Sequence, residues 1–287
     1  MQSGTARTLG CLALAVAVVV AIGVGVFWWL RDRGLTEPVP GQQRCVATAK
    51  NSSVVLDLEQ AHYASIIAGV SVRRGLPPRA ASIALATAYQ ETGIRNLNSG
   101  DRDSVGLFQQ RPSQGWGSRR QLLDPDYASE KFYDALVKIK NWETDDINDV
   151  AQKVQRSGHP EAYRDHEADG RVLASTLTGQ SPAGFSCLER SGAEGDVKGL
   201  RSAMQNTFGA INDSADGSVI TIRARNERRA WAYAHYAVAN ASSYGVTTVK
   251  IGNRIWQTQD FNLPEWQESS PSLSDSRVEI TVRETAR

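Results

Sequence analysis

What this sequence has little of already narrows its chemistry. It holds 3 cysteines, and no two of them form a Cys-x-x-Cys pair. No structural zinc site is therefore encoded. Of its 4 histidines, His62, His159, His166 and His235, no two have the spacing of a zinc-protease motif. No Gly-x-Ser-x-Gly elbow and no phosphate-binding loop occurs. Neither charge sign is in excess: Lys and Arg number 32 against 31 Asp and Glu, and residues 1–30 contain Arg7 and no acid. A dedicated nucleic-acid binder would show a basic surplus. Only one long hydrophobic run exists, which excludes a multi-pass transporter or channel. There is no internal repeat, and no low-complexity tract beyond a Ser-rich loop at 269–276.

What is present supports a folded body. A chain of 287 residues fits one large domain or two ordinary ones. Its 41% hydrophobic and 22% charged residues favour a packed core over wholesale disorder. The one apolar run, 9–30, is uncharged and bracketed by Arg7 and by Arg31, Asp32 and Arg33. At about 1.5 Å per residue it matches a hydrocarbon core of about 30 Å. Phe27, Trp28 and Trp29 form an aromatic belt at its outer end, and no small-x-small cleavage site follows. The expectation is a cytoplasmic tail (1–8), a single-pass cell-membrane anchor (9–30), a linker (31–44) and a body outside the cytoplasm facing the cell wall. Cys45 and Cys187 are the only cysteines beyond that run, and they bracket one compact segment. A disulfide between them is expected, in an oxidising compartment.

Local signals predict mostly helix over 56–179. Asp57 and Gln60 make a capping box for a helix that reaches Arg74, with Gly75 as its stop. Pro77 and Pro78 open a second helix, which runs through Ile83, Leu85 and Ala88 to Gly93. A polar loop, 94–105, follows, then helices over 126–140, 146–156 and 160–178. The stretch 179–196 holds Cys187 and closes a first domain, 45–190. Beyond it the pattern changes. A helix is expected over 198–208, an alternating strand over 218–224 and an Ala-rich amphipathic helix over 228–243. Strands at 246–251 and 254–257 flank a Gly252-Asn253 hairpin turn, and a last strand covers 277–283. The expected fold class is thus an N-terminal transmembrane helix, a mainly α domain and a small α+β domain over 197–287.

The chemistry gathers at two neighbouring segments. Tyr89-Gln90-Glu91-Thr92-Gly93 ends the second helix, and Ser104-Val105-Gly106-Leu107-Phe108-Gln109-Gln110 follows the loop. Cleaving a glycoside needs a carboxylic acid that can protonate the leaving oxygen near neutral pH. Glu91, in the last turn of an apolar helix, suits a proton donor. An ordinary hydrolase needs a second carboxylate. Asp101 and Asp103 are the candidates, or else simple turn residues. Gln109 is a candidate for holding an acetamido or hydroxyl group. Gly106 lets the chain pass close to a sugar. Trp116 either stacks on a pyranose face or packs as a satellite of the core.

These residues resemble the lysozyme-like superfamily, in particular lytic transglycosylases and related muramidases. That family has a Glu followed by Ser or Thr at a helix end, a loop, then a Gly-Leu-Met/Phe-Gln segment. The block 96–117, with Gln109-Gln110-Arg111-Pro112-Ser113-Gln114-Gly115-Trp116-Gly117, looks like an actinobacterial branch of it. Ala151-Gln152-Lys153-Val154-Gln155-Arg156-Ser157 and Pro160-Glu161-Ala162-Tyr163 extend the likeness. The resemblance implies a lysozyme-like domain acting on peptidoglycan glycan strands, with Glu91 as acid and then base. The muramyl acetamido group steadies the oxocarbenium-like centre, the C6 hydroxyl attacks, and a 1,6-anhydro sugar results. It implies Gly106, Leu107, Phe108, Gln109, Gln110, Trp116, Gln155 and Tyr163 as substrate-binding residues, and no cofactor or metal. Tyr163 takes the place of the family's tyrosine near the catalytic Glu, although the usual Ala-Tyr-Asn is absent. The alternative is a catalytically weak glycan-binding or scaffold subunit of an envelope or secretion complex. The segment from Ala230 through Trp256 resembles a small domain found behind actinobacterial cell-wall hydrolase modules. Where that domain has Asp-His-Val-His, this chain has Arg277 and Glu279, so a docking module without a metal is expected.

Overall fold

A computed structural model describes residues 41–156 and 161–284. The tail 1–8, the apolar run 9–30 and most of the linker 31–44 lie outside the described residues. Residues Gln43–Arg287 form one compact unit. It opens with a hairpin, β1 (Arg44–Ala49) and β2 (Ser52–Leu56). Helix α1 (Leu58–Arg73) starts at the predicted capping box, with both reciprocal Asp57–Gln60 bonds in place. Helix α2 (Pro78–Thr92) begins on Pro77-Pro78 and ends on Gly93 in the left-handed conformation. Two shorter helices, α3 (Arg119–Leu122) and α4 (Pro125–Leu136), lead to α5 (Ile147–Gln155) and α6 (Glu167–Leu177). Strand β3 (Phe185–Leu188) returns to the hairpin and pairs with β1, giving the antiparallel order β2-β1-β3. Cys45 stands opposite Cys187 in that pairing, and the two form the expected disulfide.

The remainder builds a six-stranded antiparallel sheet around one helix. In chain order come α7 (Val197–Phe208), β4 (Asn212–Asp216), β5 (Val219–Arg223), α8 (Glu227–Ala239) and α9 (Ala241–Tyr244). They are followed by β6 (Val246–Ile251), β7 (Arg254–Gln257), β8 (Gln267–Glu268) and β9 (Arg277–Val282). The sheet order is β4-β5-β9-β6-β7-β8. Helix α8 packs on β6 and β9 from one side and on α1 and β3 from the other. Every residue from Ala230 to Ala239 is buried. Beyond its exposed first turn the helix is therefore enclosed on all sides rather than amphipathic. Gly179, beyond α6, permits close approach to the start of this helix: a Cβ there would meet Arg228 O at 1.9 Å.

Two expectations need correction. The described body is mixed α/β, with antiparallel sheets of three and six strands, and not mainly α. Strands β1 and β2 escape a sequence reading because their inward residues, Cys45, Ala47, Val54 and Leu56, form short alternations. Their turn also places a lysine, Lys50 at φ 53, in the left-handed region where Asn-Gly would have announced a hairpin. The membrane assignment falls on the same ground of what is described. Among the described residues no helix is long and apolar enough to cross a membrane. The longest, α1, has 16 residues and reaches about 24 Å, short of a span of about 30 Å.

Candidate functional site

Helix α2 sets the position of Glu91. Ala80 through Ala88 are buried, packed chiefly against α6 and also against α1 and α5. The end of the helix is pinned twice. Gln60 Nε2 donates to Gly93 O at 2.9 Å. Thr92 Oγ1 lies 2.9 Å from Leu107 O and accepts from Arg95 N. Glu91 therefore leaves the helix half-buried, at a fixed point beside the loop 94–110.

That loop closes on itself through a two-way pairing of Val105 with Gln110, at 3.0 and 3.1 Å. Between them runs the turn from Gly106 to Gln109. Gly106 has φ 79, and a Cβ there would meet Leu122 O at 2.3 Å, so close packing on α3 demands glycine. Leu107 and Phe108 point inward, fully buried, and Phe108 stacks on Phe132 with ring centres 4.6 Å apart. Their side chains belong to the core, and what they offer the site is backbone. Phe108 O accepts from Gln155 Nε2 at 2.8 Å. Gln109, with φ 48, accepts from Ser104 Oγ at 2.9 Å. Gln110 is buried and donates to Ala128 O.

Two residues from distant segments converge on Glu91. Tyr163 OH donates to Glu91 Oε1 at 2.7 Å, and Gln155 Nε2 donates to the same oxygen at 3.1 Å. Tyr163 is 1% exposed, so its hydroxyl is aimed by packing. Asn148 Oδ1 holds its backbone amide. Both donors use Oε1, and no hydrogen bond from a described residue reaches Oε2.

Glu91 lines an open cleft of about 340 Å³ with Asp101, Ser104, Gln109, Gln110, Arg111, Gln114, Trp116, Gln155 and Arg156. Trp116 is half-buried in its wall, packed against the core. The two candidate second acids differ in what holds them. Asp103 is locked: Arg111 Nε reaches it at 2.7 Å, as does Ser113 N. The Arg111 guanidinium, followed by the two Ser113 bonds, holds its carboxyl well below the usual carboxylate range. Asp101 stands on the rim with its side chain 90% exposed. Sequence reasoning missed Ser104, Arg111, Gln114 and Arg156 as cleft residues. Three of them adjoin residues it did name, and that adjacency was the signal available. Among the described residues no group of three or more His, Cys, Asp or Glu could hold a metal ion.

The arrangement offers the Glu91 carboxyl group, steadied on one oxygen and open on the other, in an open polar cleft. No protein-family model matches the chain, and no curated protein matches it.

Proposed function

We propose that this chain cleaves the β-1,4 bond between N-acetylmuramic acid and N-acetylglucosamine in peptidoglycan strands, as a lysozyme-like lytic transglycosylase or muramidase. The reading rests on the Glu91 carboxyl held at Oε1 by Tyr163 and Gln155 in the wall of the cleft. Fixing one oxygen orients the other. Oε2 delivers a proton to the glycosidic oxygen as the bond from C1 to that oxygen breaks. The substrate acetamido group steadies the oxocarbenium-like centre. Glu91, now a carboxylate, takes the proton of the muramyl C6 hydroxyl as that oxygen bonds to C1. The acid is regenerated, no water is consumed, and the product ends in a 1,6-anhydro ring. This route needs no second carboxylate, in keeping with Asp103 locked to Arg111 and Asp101 out on the rim.

The test is digestion of purified sacculi by the wild type and Glu91→Gln, with mass spectrometry of the released fragments. Glutamine keeps the shape and removes the transferable proton, so the rate should fall by about 10²–10⁴-fold with melting unchanged. Anhydro ends identify a transglycosylase and reducing ends a hydrolase. Wild-type digestion by a normally folded Glu91→Gln protein would remove the assignment.

A further inference from the structure

We propose that Arg156 is the carboxylate anchor of the cleft, so that the favoured substrates are glycan strands bearing free carboxylates. This deepens, and rests on, the reading of Glu91 as the acid of a glycan-cleaving site. Arg156 lines the same cleft as Glu91 and directly follows Gln155, which bonds the Glu91 carboxyl. One peptide unit thus ties the anchor to the reacting centre. The cleft's other arginine, Arg111, is consumed by Asp103 at 2.7 Å. The Arg156 guanidinium has no ion pair and no side-chain hydrogen bond among the described residues, and the next four residues, Ser157-Gly158-His159-Pro160, contain no acid. Among the described residues it is the cleft's cation without a partner.

The backbone points the same way. Arg156 caps α5 with φ 54 and ψ 40, its amide bonded to Gln152 O. That left-handed cap position favours glycine or asparagine. A long cation kept there against backbone preference is the kind of local strain that accompanies binding sites. Its planar fork suits two-point recognition of a carboxylate, which a lysine ammonium does not reproduce. Peptidoglycan strands offer that group in two places: the lactyl arm of a peptide-free muramyl residue, and the free carboxylates of an attached peptide.

Affinity is measured by calorimetry on the full chain carrying Glu91→Gln, so that nothing is cleaved. The ligands are soluble peptide-bearing strands, peptide-free strands, and both again with their carboxylates converted to amides. Adding Arg156→Gln should weaken binding of charged strands by about 10- to 100-fold, the worth of a charged hydrogen-bonded pair, and leave amidated strands untouched. Loss on peptide-free strands assigns the lactyl carboxylate, and loss confined to peptide-bearing strands assigns the peptide. Arg156→Gly, which relaxes the backbone, should show the same loss with no drop in melting temperature. Equal affinity with and without Arg156, an equal loss on amidated strands, or no binding of any strand overturns the proposal. Cleavage surviving Glu91→Gln would instead remove the catalytic reading, which these affinities do not measure.

Discussion

Where α8 meets α1, Asn240 donates to Ser65 Oγ and Tyr236 O while its carbonyl oxygen meets His62 Nδ1 at 2.5 Å. In the cleft, Glu91 takes two donors on one oxygen and none from a described residue on the other. The seam repeats its pattern nearby. His235 Nδ1 meets Thr176 O at 2.8 Å, Trp256 Nε1 donates to Ser186 Oγ, and Trp266 Nε1 donates to Phe185 O. Similar side chains do opposite jobs. Those of the seam mostly find partners because an unmet polar group costs free energy when buried, and His235 Nε2 is the atom among those named here that has none among the described residues. Those of the cleft keep a face in reserve for a ligand.

The difference can be broken from either side. The largest effect expected is the loss of activity in Glu91→Gln, with folding intact. Next is removal of the disulfide by Cys45→Ala with Cys187→Ala. The cysteines are 142 residues apart, and opening a loop of that size costs about 5 kcal/mol on chain entropy alone. Denaturant unfolding should show a comparable drop, and an unchanged midpoint would refute it. Asn240→Ala orphans buried partners and should cost about 3 kcal/mol, with turnover per folded molecule unaltered. A variant that melts normally but digests poorly would place Asn240 in the wrong group. Tyr163→Phe keeps the ring packing and removes one donor to Glu91. It should slow digestion by about 10-fold, equivalent to one hydrogen bond of about 1.4 kcal/mol, with little change in strand affinity.

The smallest effect is a dependence on pH. Burial pushes the His235 imidazole down to about 4, against its bond to Thr176. Burial also pushes the Asp126 carboxyl up to about 6, opposed by Thr207 and Arg73 and assisted by Asp124. His235 is neutral in the folded chain, so its stabilisation is present above 6.5 and is lost as pH falls toward about 4. Asp126 works in reverse. Its folded form holds the proton more tightly, and the stabilisation present below 3.8 is lost as pH rises through about 6. Between pH 4 and 6 the two oppose each other. Asp126→Asn removes one side, so its melting temperature should fall more steeply from pH 6 to 4 than that of the wild type. Parallel curves would show that the carboxyl is not linked to folding.

Much of the helical order was legible because its punctuation is local. Asp57 with Gln60, Pro77-Pro78, Gly93 and Gly252-Asn253 each mark a boundary through their own backbone chemistry. The strands β1, β2 and β4 were not legible. The first two meet at a turn without glycine, and β4, Asn212–Asp216, is an exposed polar strand at the sheet edge. At the site, Glu91, Gln109, Gln155, Trp116 and Tyr163 could be named from motif order. Which way a side chain faces could not be read. Leu107 and Phe108 sit in a run of adjacent residues whose turn sends them inward. Arg156 carries no motif weight of its own, and its standing depends on which acids end up elsewhere.

The enclosure of α8 bears on how such chains can be assembled over evolutionary time. A module that is exchanged between proteins must arrive with its own finished surface. The helix has none to spare from Ala230 to Ala239, since its two sides are spoken for by the six-stranded sheet and by α1 and β3. A chain cut after Leu188 would present the apolar flank of α1 to water, and residues 197–287 alone would present that of α8. Neither portion can be traded like a bead on a string. A related chain that kept the Glu91 cleft but lost the second portion would need another element to cover α1.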